Sequence, residues 1–506
     1  MNIAPTSVRT THSSNAHLPT VRKLTRTVPV RLKERNKRRP LYVRLCPQIY
    51  EDRHSLPNGT KQHAACYTLE SARAWCMSGV QVAFNFRYRG VHVDGETGVL
   101  SWPTCPFPVF CCPFVQSHIH SIVFRKRQSQ FRPNMATEQL PETMQAVQVV
   151  EYNKPYQLNT VPVPHPSTLG PHDLLVKVAV ASNCHTDSMV LSGVFASQTP
   201  SLPLTASHEG AGTVIATGLS VTTFAPGDRI MVGLPLHPCG ACPDCRGPET
   251  HRQYCARVAG HVGVMVHGCF AHYVVCDARS SSLLPDKVSF ASAAPLACAG
   301  RTIWRGIEQC GLKSGEWIAL VGAGGGLGHL GVQFAKARGL EVVGIDARDE
   351  GVALAGEAGA DVVVDARMGK EGVVERVKGV TGGRGVDAAV VISDAATATG
   401  LACAVTKMHG TVIQIAQPES VVVPFQELVF RDVRIRGSLV ASPDESRRML
   451  ECVAEKGIKV KTNPFYGLDK IGELTELVHG GKIQGKAIIV VDQEQMEREK
   501  ELGAKF

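Results

Sequence analysis

The stretch WIALVGAGGGLGHLGVQFAKARG, residues 317–339, runs from an apolar strand through a glycine-rich turn into an amphipathic helix. After the turn, Leu327, Leu330, Gly331, Phe334 and Ala335 recur at helical spacing. Strand, turn and helix in this order make a dinucleotide cradle, because a tight turn of small residues lets the backbone approach a pyrophosphate and the free N–H groups of the helix start meet its charge. The cradle residues are Gly322, Gly324, Gly325, Gly326, Leu327 and Gly328. Gly322, Gly325 and Gly328 are three apart, and Ala323 stands where a GxGxxG pattern has its first glycine. Asp346 ends the next strand, 18 residues beyond Gly328, placed to accept hydrogen bonds from the adenosine ribose and to repel a 2′-phosphate. That pattern predicts NAD over NADP, with Arg348 two residues on as the opposing charge.

Outward from this stretch, apolar strands keep returning after helical segments: WIALVG, EVVGID, DVVVD, DAAVVIS, TVIQIA and VRIRGS. Six such strands predict a parallel, doubly wound sheet over 299–439. Upstream, from Met144, the rhythm is one of short alternating runs such as LLVKVAVAS and GAGTVIATG, split by turns like APGDRI, which predicts a β-rich segment. The tail from about 440 mixes helix and strand, ends in GKAIIVVD, and is assigned with 135–298 to one domain.

Residues 1–134 carry 20 Lys+Arg against 6 Asp+Glu, a balance of +14, so the rest of this +9 chain sums to −5. The basicity therefore belongs to the leader and not to the body. The leader shows no sustained period and reads as disordered, or as upstream sequence with the functional protein starting at Met135; its Arg-, Ser- and Thr-rich start also has the composition of a mitochondrial presequence. The corresponding compartments are the cytoplasm and, if the presequence is genuine, the mitochondrial matrix. No apolar run reaches the about 20 residues that a membrane-spanning helix needs, so no membrane association is expected.

Four of the seventeen cysteines, Cys239, Cys242, Cys245 and Cys255, fall within CGACPDCRGPETHRQYC. One loop can fold four such thiolates around a tetrahedral Zn²⁺, and a site with four protein ligands and no open position is structural. His251 in that loop reads as solvated. A catalytic zinc needs three protein ligands and an exchangeable position. Candidates occur in CHTD around Cys184, in SHEGAG around His208 and in PLACAG around Cys298, which are 24 and 90 residues apart and so cannot be joined by spacing.

CHTD, HEGAG, PGDR, CGACPDC, CAG and GGLG occur in an order that resembles the zinc-dependent alcohol dehydrogenases of the medium-chain dehydrogenase/reductase family, particularly the yeast and fungal NAD-dependent enzymes, over roughly residues 144–492. The resemblance implies a GroES-like catalytic domain, a Rossmann domain and an active site in the cleft between them. It makes Cys184, His208 and Cys298 the ligands of a catalytic zinc, with Glu209 beside the metal and Asp187 orienting His208 from behind. It implies that His185 faces the cofactor pyrophosphate, that Thr186 hydrogen-bonds the substrate hydroxyl, and that Cys239, Cys242, Cys245 and Cys255 hold a structural zinc in a lobe over 239–255. Two Zn²⁺ per chain, NAD, an alcohol or aldehyde substrate and a homo-oligomer, tetramer or dimer, follow as expectations. So does the reaction: zinc as a Lewis acid lowers the pKa of the alcohol oxygen from about 16 toward neutrality, and the alkoxide passes a hydride to nicotinamide.

Where the family relays the proton through a histidine five residues beyond the first cysteine ligand, this chain has Met189. Phe195 and Leu234 align with two pocket tryptophans and predict a wider substrate pocket. Lys486 replaces an arginine on the pyrophosphate, and Gly351 falls where a lysine helps to hold the ribose, both of which predict weaker cofactor binding. Two competing readings are a zinc-less NADPH-dependent quinone or enoyl reductase of the same superfamily and a zinc-ribbon nucleic-acid-binding protein with a basic arm. The ligand motifs and Asp346 weigh against the first, the acidic body against the second.

Overall fold

The computed structural model describes residues 26–31, 40–45, 140–199 and 201–505. In the leader, Arg26–Arg31 and Pro40–Leu45 pair as antiparallel strands, a local element in a region that reads as having none; RTVPVR and PLYVRL are the short stretches there that interleave apolar and basic residues. The presequence reading and the start at Met135 fall outside the described residues.

From Leu140 onward the chain forms one compact unit with two large sheets. The first is seven-stranded, in the order Ser282–Leu283, Arg229–Met231, Glu209–Thr217, Asp173–Ser182, Lys486–Val490 and Thr462–Tyr466, with Tyr273–Asp277 also paired to Asp173–Ser182. All its pairings are antiparallel except that of Thr462–Tyr466 with Lys486–Val490. The tail strands thus return to the β-rich part. Asp173–Ser182 lies at the middle of this sheet, which is why nine of its ten residues are buried and only Lys177 is part-exposed.

The second sheet has six parallel strands in the order Val362–Asp365, Glu341–Asp346, Trp317–Val321, Val386–Val391, Thr406–Gln414 and Arg434–Gly437. These correspond to the six strands read from the sequence. The near-continuous Val, Ile and Ala runs of Trp317–Val321, Glu341–Asp346 and Val386–Val391 suit the middle of a sheet covered on both faces by helices. The order reverses on the two sides of Trp317–Val321, and a ligand crevice is expected at the carboxyl ends of the strands flanking such a switch point. The helix Gly328–Ala337 starts there and turns Leu330, Phe334 and Ala335 inward, with Phe334 edge-on to Trp304 at 5.3 Å.

One apolar core joins the two sheets. It runs from Val180 and Ala211 through Phe290, Leu296 and Ile303 to Ile318, Leu320 and Val390. The segment between the sheets, helix Phe290–Pro295, a π-helical turn over Leu296–Gly300 and helix Arg301–Gln309, is therefore held from both sides. Cys298 sits on that π turn, a widened turn of a kind that often marks a functional site.

Candidate active site and metal centres

Strand register assembles the catalytic cluster. Ser182 pairs with Glu209 across neighbouring strands, so Cys184, two residues past the end of one strand, comes beside His208 at the start of the other. Ser207 holds this corner in the left-handed region at φ +69, its hydroxyl donating to the Ser182 carbonyl at 2.8 Å. Such backbone strain in a non-glycine residue concentrates at functional sites. Cys298 arrives from the π turn, whose Ala299 N–H donates to Glu209 Oε1 at 3.0 Å. On the other flank Ile488 pairs with Ser182, which brings Lys486 in from the tail. The donor atoms of Cys184, His208, Glu209 and Cys298 all lie within 4.8 Å of one another.

Asp187 does two jobs. Its Oδ2 accepts the Cys184 N–H at 2.8 Å, capping the helix His185–Leu191, and its Oδ1 lies 2.7 Å from His208 Nδ1. With Nδ1–H donating to that carboxylate, the neutral His208 ring would present the lone pair of Nε2, an atom that is buried without a partner among the described residues. A buried imidazole nitrogen with no partner beside two thiols is the donor set of a metal site with a protein-oriented histidine. The two thiols are pushed apart in acidity: the neighbouring Cys298 thiol, as a hydrogen-bond donor, holds Cys184 well below the ordinary thiol range, and the same interaction holds Cys298 well above it. Burial works against a cationic His208, but Asp187 and then Cys298 outweigh it and hold the ring well above its ordinary value. Metal binding as two thiolates and a neutral imidazole would release these protons.

Glu209 is fully buried, and burial pushes its carboxyl up to about 7 even against the charge of Lys486. Lys486 Nζ lies 2.7 Å from Glu209 Oε2. The sequence places this lysine on the cofactor pyrophosphate; in the structure its stem passes the glycine-rich turn, where a Cβ on Gly326 would meet Lys486 Cδ at 2.7 Å, and its ammonium is committed to Glu209. His185 is exposed and lies 3.6 Å from Asp394; Thr186 and Met189 are half-buried on the same short helix. Phe195 belongs to the apolar cluster that contains Val190 and Met265, and the Leu234 carbonyl accepts the Val262 N–H.

The second group matches the four-cysteine loop. Sγ atoms of Cys239, Cys242, Cys245 and Cys255 lie within 4.8 Å of one another, and those of Cys239 and Cys245 are 4.0 Å apart. Bonds of about 2.3 Å in a zinc tetrahedron would set them about 3.8 Å apart. Backbone N–H groups of Ala241 and Cys242 donate to Cys239, and that of Cys245 to Cys242. Donors on sulfur favour the thiolate, and Cys239 is lowered to about 6, first by the Ala241 N–H.

At the switch point, Gly322 has φ +100, and a Cβ on Gly328 would come within 2.2 Å of the Gly322 carbonyl oxygen. A Cβ on Gly325 would meet nothing nearer than 3.5 Å, so that edge of the turn stays open to a ligand. Asp346 Oδ2 accepts the Gly324 N–H at 2.9 Å, and its Oδ1 accepts from Ala347 and Arg348. Arg348 is committed to carbonyls of Gly324, Gly481 and Ile483. The absent side chain of Gly351 is what makes room for Asp346, whose Oδ1 a Cβ there would meet at 2.3 Å.

Comparison with known proteins bears on the two domains and the fold. Residues 170–286 match the model of the alcohol dehydrogenase GroES-like domain and residues 326–455 that of the zinc-binding dehydrogenases. The chain is 35% identical over 351 residues to an alcohol dehydrogenase of Rhizobium meliloti (strain 1021), covering 69% of this chain and 98% of that one. It is 34% identical over 352 residues to alcohol dehydrogenase 1 of Emericella nidulans, with the same coverage. Among solved structures, a protein of Sinorhizobium meliloti 1021 described as a zinc-binding dehydrogenase and bound to NADP matches with a TM-score of 0.60 at 28% identity, over 69% of this chain and all of that one.

Proposed function

The chain belongs to the alcohol dehydrogenases of the medium-chain dehydrogenase/reductase family, with a GroES-like and a zinc-binding dehydrogenase domain, and from that membership we propose that it works with two zinc ions and prefers NAD. The family's reaction, the interconversion of alcohols with aldehydes or ketones, is its activity. The observation that carries the catalytic zinc is the buried, unmatched Nε2 of His208 facing Cys184 and Cys298.

A bound Zn²⁺ supplies Lewis acidity toward an alcohol oxygen, and a bound nicotinamide accepts the hydride. Around them the chain's residues divide the remaining tasks. Asp187 fixes the ring and tautomer of His208. Lys486 balances the buried charge of Glu209, so that Glu209 stays beside the ligands without drawing in a solvent cation. Thr186, on the first turn of the helix that Cys184 caps, holds the substrate hydroxyl and passes on its proton. His185, on the exposed side of that turn, meets the cofactor phosphates. Met189 has no ionisable group, so the proton leaves through solvent. Phe195 and Leu234 line an alcohol pocket wider than one built on two tryptophans.

Asp346 supports the NAD preference, because its carboxylate is anchored at the strand end beside Gly324. Arg348 offers no competing phosphate site while carbonyls occupy its guanidinium. The four-cysteine lobe holds the second zinc. The edge strand Arg434–Gly437 and the exposed Phe425, Val429 and Phe430 support a homo-oligomer assembled through the coenzyme domain. No helix among the described residues is long and apolar enough to cross a membrane.

Metal analysis with a substrate panel tests the reading. Two Zn per chain, a kcat/KM for NAD above that for NADP, and turnover of hexanol or benzyl alcohol above that of ethanol are expected. One or no zinc, an NADP preference, or an ethanol optimum would each remove the corresponding part.

A further inference from the structure

Away from the catalytic cluster, a cavity of about 170 Å³ borders the four-cysteine lobe. Its walls include Cys245, Arg252, Gln253, Arg279, Ser280 and Arg301, and it shares no lining residue with the catalytic donor set. Arg301 begins the helix Arg301–Gln309 and is 1% exposed. Only its Nη2 is matched, donating to the carbonyls of Ala441 at 3.0 Å and Ser280 at 3.4 Å. Nε and Nη1 are buried with no partner among the described residues.

An unmatched buried cation is costly, more so than an unmatched neutral donor. Burial lowers this guanidinium to about 10, which still leaves it charged at neutral pH. The charges that act on it are those of Cys298 first and then of the carboxylates Glu445 and Glu249; none of the three accepts a hydrogen bond from it, and both carboxylates are committed elsewhere: Glu445 pairs with Arg305 and accepts the Ser442 N–H, and Glu249 accepts from the Ser442 hydroxyl and the Asp444 N–H. Arg279 is held two-pronged on Asp277. Arg252 is exposed, and its side chain has no partner among the described residues. The Gln253 side chain adds an unmatched buried acceptor, its Oε1. The cavity is therefore lined by a buried cation lacking acceptors, a second unpaired cation on its exposed side, and one acceptor lacking a donor.

We propose that this cavity is a binding site for a small oxyanion, of the chemistry shared by inorganic phosphate and simple carboxylates, which supplies the missing acceptors of Arg301 and is met from the exposed side by Arg252. A hydrogen phosphate also carries the hydroxyl that Gln253 Oε1 lacks, and so satisfies all three groups. The ligand would bridge the four-cysteine lobe, the loop at Arg279–Ser280 and the start of the helix Arg301–Gln309. The cavity shares no lining residue with the catalytic donors, but Arg301 follows Cys298 by three residues and feels its charge.

The test is a titration of the full-length, zinc-loaded protein with inorganic phosphate, sodium acetate and sodium chloride at matched ionic strength, reading the melting temperature. A saturable rise with phosphate or acetate beyond that with chloride is expected, and the oxyanion that saturates at lower concentration identifies the source. Arg301→Met abolishes the saturable part, whereas Arg252→Ala raises the half-saturating concentration several-fold. Phosphate bound at the glycine-rich turn would act equally on wild type and both variants and so drops out of the comparison. A response no greater than that to chloride overturns the proposal, as does an unaltered response in Arg301→Met. If Arg301→Met does not fold, an unaltered half-saturation in Arg252→Ala overturns it.

Discussion

Asp187 Oδ1 lies 2.7 Å from His208 Nδ1, and the other oxygen of the same carboxylate takes the Cys184 N–H at 2.8 Å. One side chain therefore sets the orientation of two metal-ligand candidates that are 24 residues apart. Asp187→Asn keeps the shape but can turn an N–H toward His208 and weakens the cap. Loss of a carboxylate behind a ligating histidine typically costs 10–100-fold in metal affinity. A chelator competition that removes zinc from the variant at about 10- to 100-fold lower chelator activity is the expected outcome; an unchanged curve would separate Asp187 from the metal.

The Lys486–Glu209 pair is buried on both sides. Removing one partner of such a pair leaves an uncompensated charge and costs about 3–5 kcal/mol. Lys486→Met is expected to lose that much in urea unfolding at pH 8, and Lys486→Met with Glu209→Gln to recover most of it. If the double variant is no more stable than the single one, the lysine acts through its packing against Gly326 and not through its charge.

Met189→His places an ionisable ring on the helix that begins at Cys184. Its ordinary pKa of about 6.5 should add an ionisation in that range to the pH dependence of kcat, turnover rising as the ring becomes able to take the proton. A superimposable pH–rate profile would show that no relay passes this position.

His329 is buried, its Nδ1 on the Gly325 carbonyl and its Nε2 accepting the Lys461 N–H. Burial lowers its pKa to about 4. The fold keeps the ring neutral, whereas the unfolded chain takes up a proton as pH falls through 6.5. Stability is therefore lost between pH 6.5 and 4, by up to about 3 kcal/mol at 1.36 kcal/mol per unit, and the loss levels off below 4. Urea unfolding at pH 7 and pH 5 should show a smaller pH difference for His329→Gln than for wild type; equal differences would mean that the acid sensitivity lies elsewhere.

The six parallel strands and the glycine-rich turn were legible because each rests on local pattern: apolar runs, a tight turn, a helical period. The four-cysteine loop was legible for the same reason, as its donors lie on one loop. Cys184, His208 and Cys298 were not, since two strand registers and a π turn bring them together, and only the family resemblance joined them. Lys486 has a contact that its motif does not announce. Its partner Glu209 is 277 residues away and is brought to it by pairings across the seven-stranded sheet. Arg301 and Arg305 gave no signal in the sequence, yet both are buried, and the groups that Arg305 meets come from distant loops.

Arg305 reaches the Thr250 carbonyl, Ser438 Oγ and Glu445, and its guanidinium lies 5.5 Å from the centre of the Tyr254 ring. A single side chain thus clasps the cysteine lobe to the end of the coenzyme sheet and to the helix beyond it. Three segments far apart in the chain share one buried guanidinium, so a change at Arg305 would be felt in the lobe, the sheet end and the helix together.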